Sequence, residues 1–356
     1  MAEEEFNRIS ILHGGGGLYM QKLLKEHIIP RFKSRRFKEI PLDLLADSAV
    51  IGDIVFTTDS YTVKPIFFPG GDIGRLSISG TVNDLSVVGA KPLGISCALI
   101  LEEGFELAKL ERILDNMERT AEEADVEIVT GDTKVVERGK LDQIIINTAG
   151  IGRRSEKLDE NLRRAASDGR NLRSRWLDPR NIRPGDKIII SGTIGDHAVA
   201  IMAAREELGL EAPNLKSDAA PLNKLISEAL EIGGVVACKD PTRGGLAALL
   251  NEWSETTGIG IIIREASLPI REEVKAACEI LGIDALELAN EGKAVLAVSA
   301  RYAEDVLEAV RSHPLGKDAE IIGEFTREYN GVVVETEIGG LRYVPMPIGD
   351  PVPRIC

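Results

Sequence analysis

The 356 residues are enough for two domains with separate cores, and a chain that is 44% hydrophobic, 28% charged and 4% aromatic folds rather than staying disordered. A net charge of -14 argues against general nucleic-acid binding and draws attention to carboxylates as possible metal ligands. No apolar run reaches bilayer-spanning length, and Met1 to Phe6 is acidic rather than signal-like, so a cytoplasmic protein with no membrane partner is expected.

His13-Gly14-Gly15-Gly16-Gly17 comes first, ahead of an apolar-periodic segment from Leu18 to Ile29. A glycine run that opens a helix can wrap its amides round an anion, or can serve as a flexible lead-in. Arg31 to Lys38 reads as a solvated basic connector. Strand and helix patterns then alternate. Ala49 to Asp59 reads as one strand, and Gly70-Gly71-Asp72 opens a helix that runs to about Val88. Gly94 to Leu101 is a strand, and Phe105 to Ala124 is an amphipathic helix with apolar residues at 107, 110, 113, 114 and 117. Val126 to Gly131 and Gln143 to Gly152 complete the strands of a first α+β domain.

Arg153 to Arg183 carries nine arginines and few large apolar residues, and reads as a linker or surface insertion with a short helix. Pro184-Gly185-Asp186 restarts the order. Strands are expected at 187–191, 260–263, 293–299, 321–326 and 332–336, with helices at 196–208, 222–232, 244–257, 270–281 and 303–310. The chain therefore divides into an N-terminal segment (1–45), a first domain (46–152), an Arg-rich linker (153–183), a second domain (184–338) and a flexible tail (339–356). Helices between strands favour layered mixed sheets.

The tail holds Pro345, Pro347, Pro351 and Pro353, a density that forbids a helix or a central strand. It should be extended and semi-rigid, able to carry Cys356 away from the domain or into a pocket. Cys97, Cys238 and Cys278 sit in apolar surroundings and read as inert buried thiols, so Cys356 is the thiol whose exposure can be argued.

Asp47, Asp59, Asp84 and Asp132 stand where strands end or turns begin, and such carboxylates can gather Mg2+ with its polyphosphate. Each is also a plausible turn residue or cap. Asp84 is the sharpest case, because it lies inside an otherwise apolar helix and needs a partner. Lys64, Lys91 and Lys134 lie near these motifs and suit phosphate charge. Pro69-Gly70-Gly71-Asp72-Ile73-Gly74 and Asp240-Pro241-Thr242-Arg243-Gly244-Gly245 both precede helices, where phosphate can sit on free backbone amides, with Arg243 added as a fork donor. Asn290-Glu291-Gly292 leads into a strand and could put Glu291 in the same cleft.

Together these motifs resemble the HypE family of hydrogenase maturation factors. The match rests on His13-Gly14-Gly15-Gly16-Gly17, the run from Thr57-Thr58-Asp59 through Gly74, Gly80-Thr81-Val82-Asn83-Asp84-Leu85, Gly131-Asp132-Thr133-Lys134, Asp240 to Leu246 and the last four residues Pro353-Arg354-Ile355-Cys356. The stretch from Leu158 to Arg175 looks longer than that family needs. The resemblance implies an α+β, two-domain PurM-like (AIR-synthase-related) ATP-binding fold, with mixed sheets flanked by helices and an extended tail. It implies a homodimer paired through its first domains, with ATP and Mg2+ as cofactors. The carbamoyltransferase HypF would load Cys356 with a carbamoyl group. The chain would dehydrate that group to a thiocyanate with ATP, and the HypC–HypD complex would accept the cyano group for a [NiFe] centre.

On this reading Asp47, Asp59, Asp84 and Asp132 hold the metal. Lys64, Gly70, Gly71, Asp72, Asn83, Lys134, Thr242 and Arg243 meet the nucleotide, and Cys356, Lys134 and Glu291 are catalytic, with Glu291 as the base. An amide oxygen is a poor leaving group, so its phosphorylation followed by loss of the N–H proton accounts for the use of ATP. A small-molecule kinase or synthetase of the same superfamily, such as thiamine-monophosphate kinase, and a passive thiol carrier are the competing readings.

Overall fold

The computed structural model describes residues 8–32, 39–205, 210 and 212–356. Residues 33–38 of the basic run, and 206–208 at the end of one expected helix, lie outside the described residues. The glycine run sits in a 3-10 turn (Ile11–Gly14) and the start of α1 (Gly17–Lys22), which continues as a π turn (Leu23–Ile28).

The expected strand at 49–59 is a hairpin. β1 (Ala49–Ile51) and β2 (Ile54–Tyr61) pair antiparallel round Gly52 and Asp53, with Gly52 at φ 64. The positive φ explains the glycine. A short ladder of β3 (Phe67–Phe68) and β4 (Gly71–Asp72) leads into α2 (Ile73–Val87). β5 (Ala90–Glu102), α3 (Leu107–Ala124), β6 (Ile128–Val136) and β7 (Ile144–Arg154) follow. The sheet order is β1-β2-β7-β5-β6, and only β5 and β6 run parallel.

The period of two along β7 puts Ile144, Ile146, Thr148 and Gly150 on one buried face. That face packs on α2. A Cβ on Gly150 would lie 2.7 Å from Thr81 and 2.9 Å from Leu85, so the helix rests directly on the strand backbone. α3 covers α2 with Ile113, Met117 and Ala121, while Leu107 and Leu114 of the expected apolar stripe face out. Among the described residues, the opposite face of the sheet is uncovered. Phe56 and Ile151 oppose one another there, 45% and 42% exposed, and Val129 and Val135 are exposed on the edge strand β6.

The Arg-rich stretch, read as a linker or surface insertion with a short helix, carries such a helix and packs part of its length into the interior. It holds α4 (Glu156–Ala165), whose Leu158 and Leu162 are buried, and then the fully buried Trp176. The Trp176 indole donates to Glu39 at 2.9 Å. Arg170 is buried and forks onto Asp186 at 2.6 and 3.0 Å, and Arg180 pairs with Asp178. These arginines are internal struts, which composition alone cannot distinguish from a solvated run.

The second unit contains β8 (Lys187–Ile190), α5 (Asp196–Ala204), α6 (Asn223–Ile232), β9 (Val235–Lys239), α7 (Gly245–Thr257) and β10 (Gly260–Arg264). It continues with α8 (Glu272–Leu281), β11 (Val295–Val298), α9 (Ala303–Ser312), β12 (Glu320–Thr326), β13 (Val332–Glu335) and β14 (Leu341–Val344). The order is β14-β13-β10-β12-β8-β11-β9, mostly antiparallel, with β10 and β13 parallel. β9 escapes the sequence reading, and β14 falls in the stretch read as flexible tail. Leu341, Arg342 and Tyr343 of β14 are all exposed, so that strand has no alternation to read.

One apolar cluster joins the two units. Leu85, Val87 and Val88 from the end of α2 share it with Leu225 and Ala229 of α6 and Val235 of β9. The end of α2 that carries Asp84 is thereby held against the second unit. Among the described residues, no helix is long and apolar enough to cross a membrane.

Candidate active site

Three carboxylates converge from three elements. Asp47 precedes β1, Asp84 lies in the last turn of α2, and Asp240 follows β9 directly. One oxygen from each lies within 4.8 Å of the others. Thr57 on β2 donates to Asp84 Oδ2 at 2.8 Å, so the half-buried aspartate inside an apolar helix does have a partner. Lys239 faces Asp47 at 3.2 Å and Glu252 at 3.0 Å, and their carboxylates keep it protonated despite its burial.

Burial, then Asp240 and Asp47, push the Asp84 carboxyl well above the usual carboxylate range. Burial and Asp47 raise Asp240 to about 7. Burial raises Asp47 too, against the pull of Lys239. Carboxylate charge here exceeds what one lysine offsets, and the donors are all oxygen, so the set fits a hard divalent cation. Sequence reading placed Asp240 only in a phosphate motif. Its strand-end position is the signal that singled out Asp59 and Asp132, but β9 went unread.

The cluster opens on a cavity of about 490 Å3. Met20, Leu24, Ile40, Leu45 and Val50 give it an apolar wall, and Asp59, Thr242, Arg243, Glu291 and Cys356 line its polar part. Glu291 is buried, and its Oε1 has no hydrogen-bond partner. Burial, then Asp240 and Asp218, hold its carboxyl well above the ordinary range, while Arg243 opposes. Arg243 is held in its charged form, most strongly by Cys356 and then by Asp59 and Glu291. Burial raises the Cys356 thiol well above its ordinary value, again against Arg243.

The tail is seated, not solvated. Val352 and Ile355 are each 2% exposed and belong to the core under the first sheet. Thr62 N–H donates to the Cys356 carbonyl at 3.0 Å, and Lys64 N–H to the Arg354 carbonyl at 3.2 Å. Arg205 donates to the Pro353 carbonyl at 2.6 Å, and Arg354 reaches Thr62 O and Asp142. The glycine run is the tail's cradle. Leu18 N–H donates to Pro347 O at 2.8 Å. A Cβ on Gly17 would lie 2.3 Å from Pro347 O, one on Gly16 2.8 Å from Arg243 O, and one on Gly15 2.7 Å from Asp350 N. The run packs on protein backbone at these positions.

The other expected residues scatter. Asp72 caps α2 by accepting Arg75 N–H at 2.9 Å, and Gly70 packs on the Ser217 backbone. Gly70, Gly71 and Asp72 stand at the opposite end of α2 from Asp84, roughly 18 Å along the helix axis. Asn83 is buried and ties α2 to the second unit, donating to Ala220 O and accepting Leu222 N–H at 2.7 Å. Lys64 pairs with Asp142 beside the tail. Asp59 and Asp132 lie within strands rather than at strand ends. Asp59 lines the cavity, whereas Asp132 is exposed on β6, paired with Lys134 at 2.7 Å and apart from the cluster.

The family model described as AIR synthase related protein, N-terminal domain, matches residues 45–154, and its C-terminal-domain counterpart matches 183–335. Carbamoyl dehydratase HypE of Rhizobium leguminosarum bv. viciae is 45% identical over 352 residues, 98% of this chain and 95% of that one. The chain belongs to the HypE carbamoyl dehydratase family. A solved HypE–HypF complex contains a chain of TM-score 0.81 and 47% identity, covering 91% of this chain and 99% of that one. A HypE solved in complex with ATP gives TM-score 0.76 at 39% identity, covering 98% of this chain and 100% of that one. The segment between the two family-model matches carries α4 and Trp176.

Proposed function

We propose that this chain is an ATP-dependent carbamoyl dehydratase that acts on the S-carbamoyl group of its own Cys356 and leaves an S-cyanate. The observation that carries the reading is the Cys356 thiol in one cavity with the three clustered carboxylates, Arg243 and Glu291, whose buried Oε1 has no hydrogen-bond partner among the described residues. A kinase for diffusible small molecules has no use for a thiol there, and a passive carrier has none for the carboxylates.

Asp47, Asp84 and Asp240 would hold Mg2+, with Asp59 beside them on the cavity wall. When bound, Mg·ATP supplies the phosphoryl group that turns the amide oxygen into a leaving group. Arg243 orients the oxygen-rich groups at the end of the tail through its fork of donors. Glu291, once ionised, takes the nitrogen proton, and its raised proton affinity makes it the stronger base. The tail, anchored by Thr62, Arg205 and Arg354, closes its side of the cavity to water that would hydrolyse the activated group.

HypF is the carbamoyl donor on this reading, and the HypC–HypD complex takes the cyano group. The protein works as a homodimer that pairs the uncovered faces of its five-stranded sheets. Asp132 and Lys134, on the open edge of that sheet, serve the cavity of the opposite protomer.

Mass spectrometry of the C-terminal peptide tests the chemistry. The carbamoylated peptide should lose the mass of one water when Mg·ATP is added, and Cys356→Ala should deliver no cyanide to an iron acceptor. A carbamoyl group that survives ATP in the wild type would falsify the assignment.

A further inference from the structure

One contact reaches the tail from inside the core. His197, in the first turn of α5, is fully buried, its ring edge-on to Phe68 with centroids 5.6 Å apart. Its Nε2 lies 2.9 Å from the Ile355 carbonyl and its Nδ1 lies 2.7 Å from Ser217 Oγ. A carbonyl can only accept, so Nε2 carries the proton. Burial lowers the proton affinity of the ring, although Asp218 opposes, and a neutral imidazole leaves Nδ1 as an acceptor for the Ser217 hydroxyl. Ser217 Oγ in turn accepts Ala219 N–H at 3.1 Å. From Ala219 to Ile355 each polar atom has one role, and the imidazole is fixed in one tautomer.

The carbonyl held in this way belongs to the residue next to Cys356. The arginine contacts act farther back, on Pro353 and Arg354, and at least one is exposed to solvent. We propose that His197 is a positioning residue: its Nε2–H, oriented by Ser217, anchors the Ile355 carbonyl and so sets where the Cys356 sulfur stands in the cavity with Arg243 and Glu291. What the placed sulfur then does rests on the dehydratase reading, whereas the anchoring does not.

The test uses the full chain and two readouts. Iodoacetamide labelling is followed peptide by peptide, with buried Cys238 reporting any unfolding. His197→Ala should label Cys356 about tenfold faster with Cys238 still protected, the scale of one lost buried hydrogen bond. His197→Gln, whose side-chain amide can still donate to the carbonyl, should stay within about twofold of wild type, and Ser217→Ala should rise about threefold. In carbamoylated protein, His197→Ala should lower the dehydration kcat about tenfold with ATP half-saturation unchanged, and His197→Gln should restore it. Equal Cys356 labelling in wild type and His197→Ala, or unchanged dehydration despite faster labelling, overturns the proposal. If His197→Ala also exposes Cys238, Ser217→Ala decides, and no rise in Cys356 labelling overturns the anchor. A wild type that never dehydrates would sink the dehydratase reading alone, since labelling reads the anchor without it.

Discussion

Glu291 and Asp240 show what burial does to a carboxylate that must later meet a cation or a proton. The fold favours the neutral form of each relative to an exposed carboxyl, since burial raises both above their ordinary values. A raised carboxyl binds its proton more tightly when folded than when unfolded, so its effect on stability turns unfavourable as pH rises between the two values. For Asp240 that window runs from 3.8 to about 7. Without Mg2+, the melting temperature should therefore fall between about pH 5 and about pH 8, and Mg2+ should raise it more at the upper pH. Asp240→Asn should flatten both trends. An equal Mg2+ shift at the two pH values, measured by thermal unfolding, would count against the cluster as a cation site. Glu291→Gln should keep ATP affinity while single-turnover dehydration loses its rising limb with pH, because the amide keeps shape and loses basicity. A limb that persists in the variant would move the base elsewhere. Asp84 and Cys356 were legible from sequence because each is an anomaly in its own segment. Asp240 was not, since its meaning depends on a strand hidden in a short apolar run after two glycines, Gly233 and Gly234.

At the scale of elements, the glycine run shows where sequence legibility ends. A run that opens a helix looks alike whether it wraps an anion or another stretch of backbone, and only the fold reveals Pro347 and Asp350 against it. The tail misled in the same way. Its prolines correctly excluded a helix, but seating depends on two side chains, Val352 and Ile355, finding a core built from segments as distant in sequence as Tyr61 and Ile146. Gly17→Ala separates the two readings of the run. The position has φ 66 and a Cβ there would meet Pro347 O at 2.3 Å, so the substitution should cost roughly 1–2 kcal/mol in backbone strain alone and loosen the tail. Iodoacetamide should then reach Cys356 faster. Gly14→Ala, which meets nothing within 4 Å, should leave that rate alone. Matching labelling rates for the two variants would show that the run does not hold the tail.

For the molecule as a whole, the exposed face around Phe56 and Ile151 and the outlying pair Asp132–Lys134 pose one question. If the sheets pair and Lys134 serves the opposite cavity, mixing Lys134→Ala with Cys356→Ala should rescue activity that neither variant shows alone. Random pairing puts half the dimers in the mixed form with one competent cavity in each, so recovery should reach about a quarter of wild type. No recovery after verified subunit exchange would place Lys134 in its own cavity or outside the chemistry. The alternation of strands and helices in both units was largely readable from their periods, as β7 and α3 show. The relation between the two units was not, since it depends on the cluster at the end of α2 and on arginines such as Arg170 whose burial composition does not reveal.

The seating of Cys356 in the cavity of its own chain also fixes the kinetic order of the reaction. A substrate tethered beside the groups that act on it is present at a constant effective concentration, however dilute the protein. Once ATP saturates and subunit composition is constant, conversion should be first order with a half-time that dilution does not change. On the proposed function, each chain makes one product and then carries it. Sustained output is therefore limited by how fast the loaded tail leaves the cavity, gives up its group and returns, a cycle in which the protein is consumed and regenerated like a reagent.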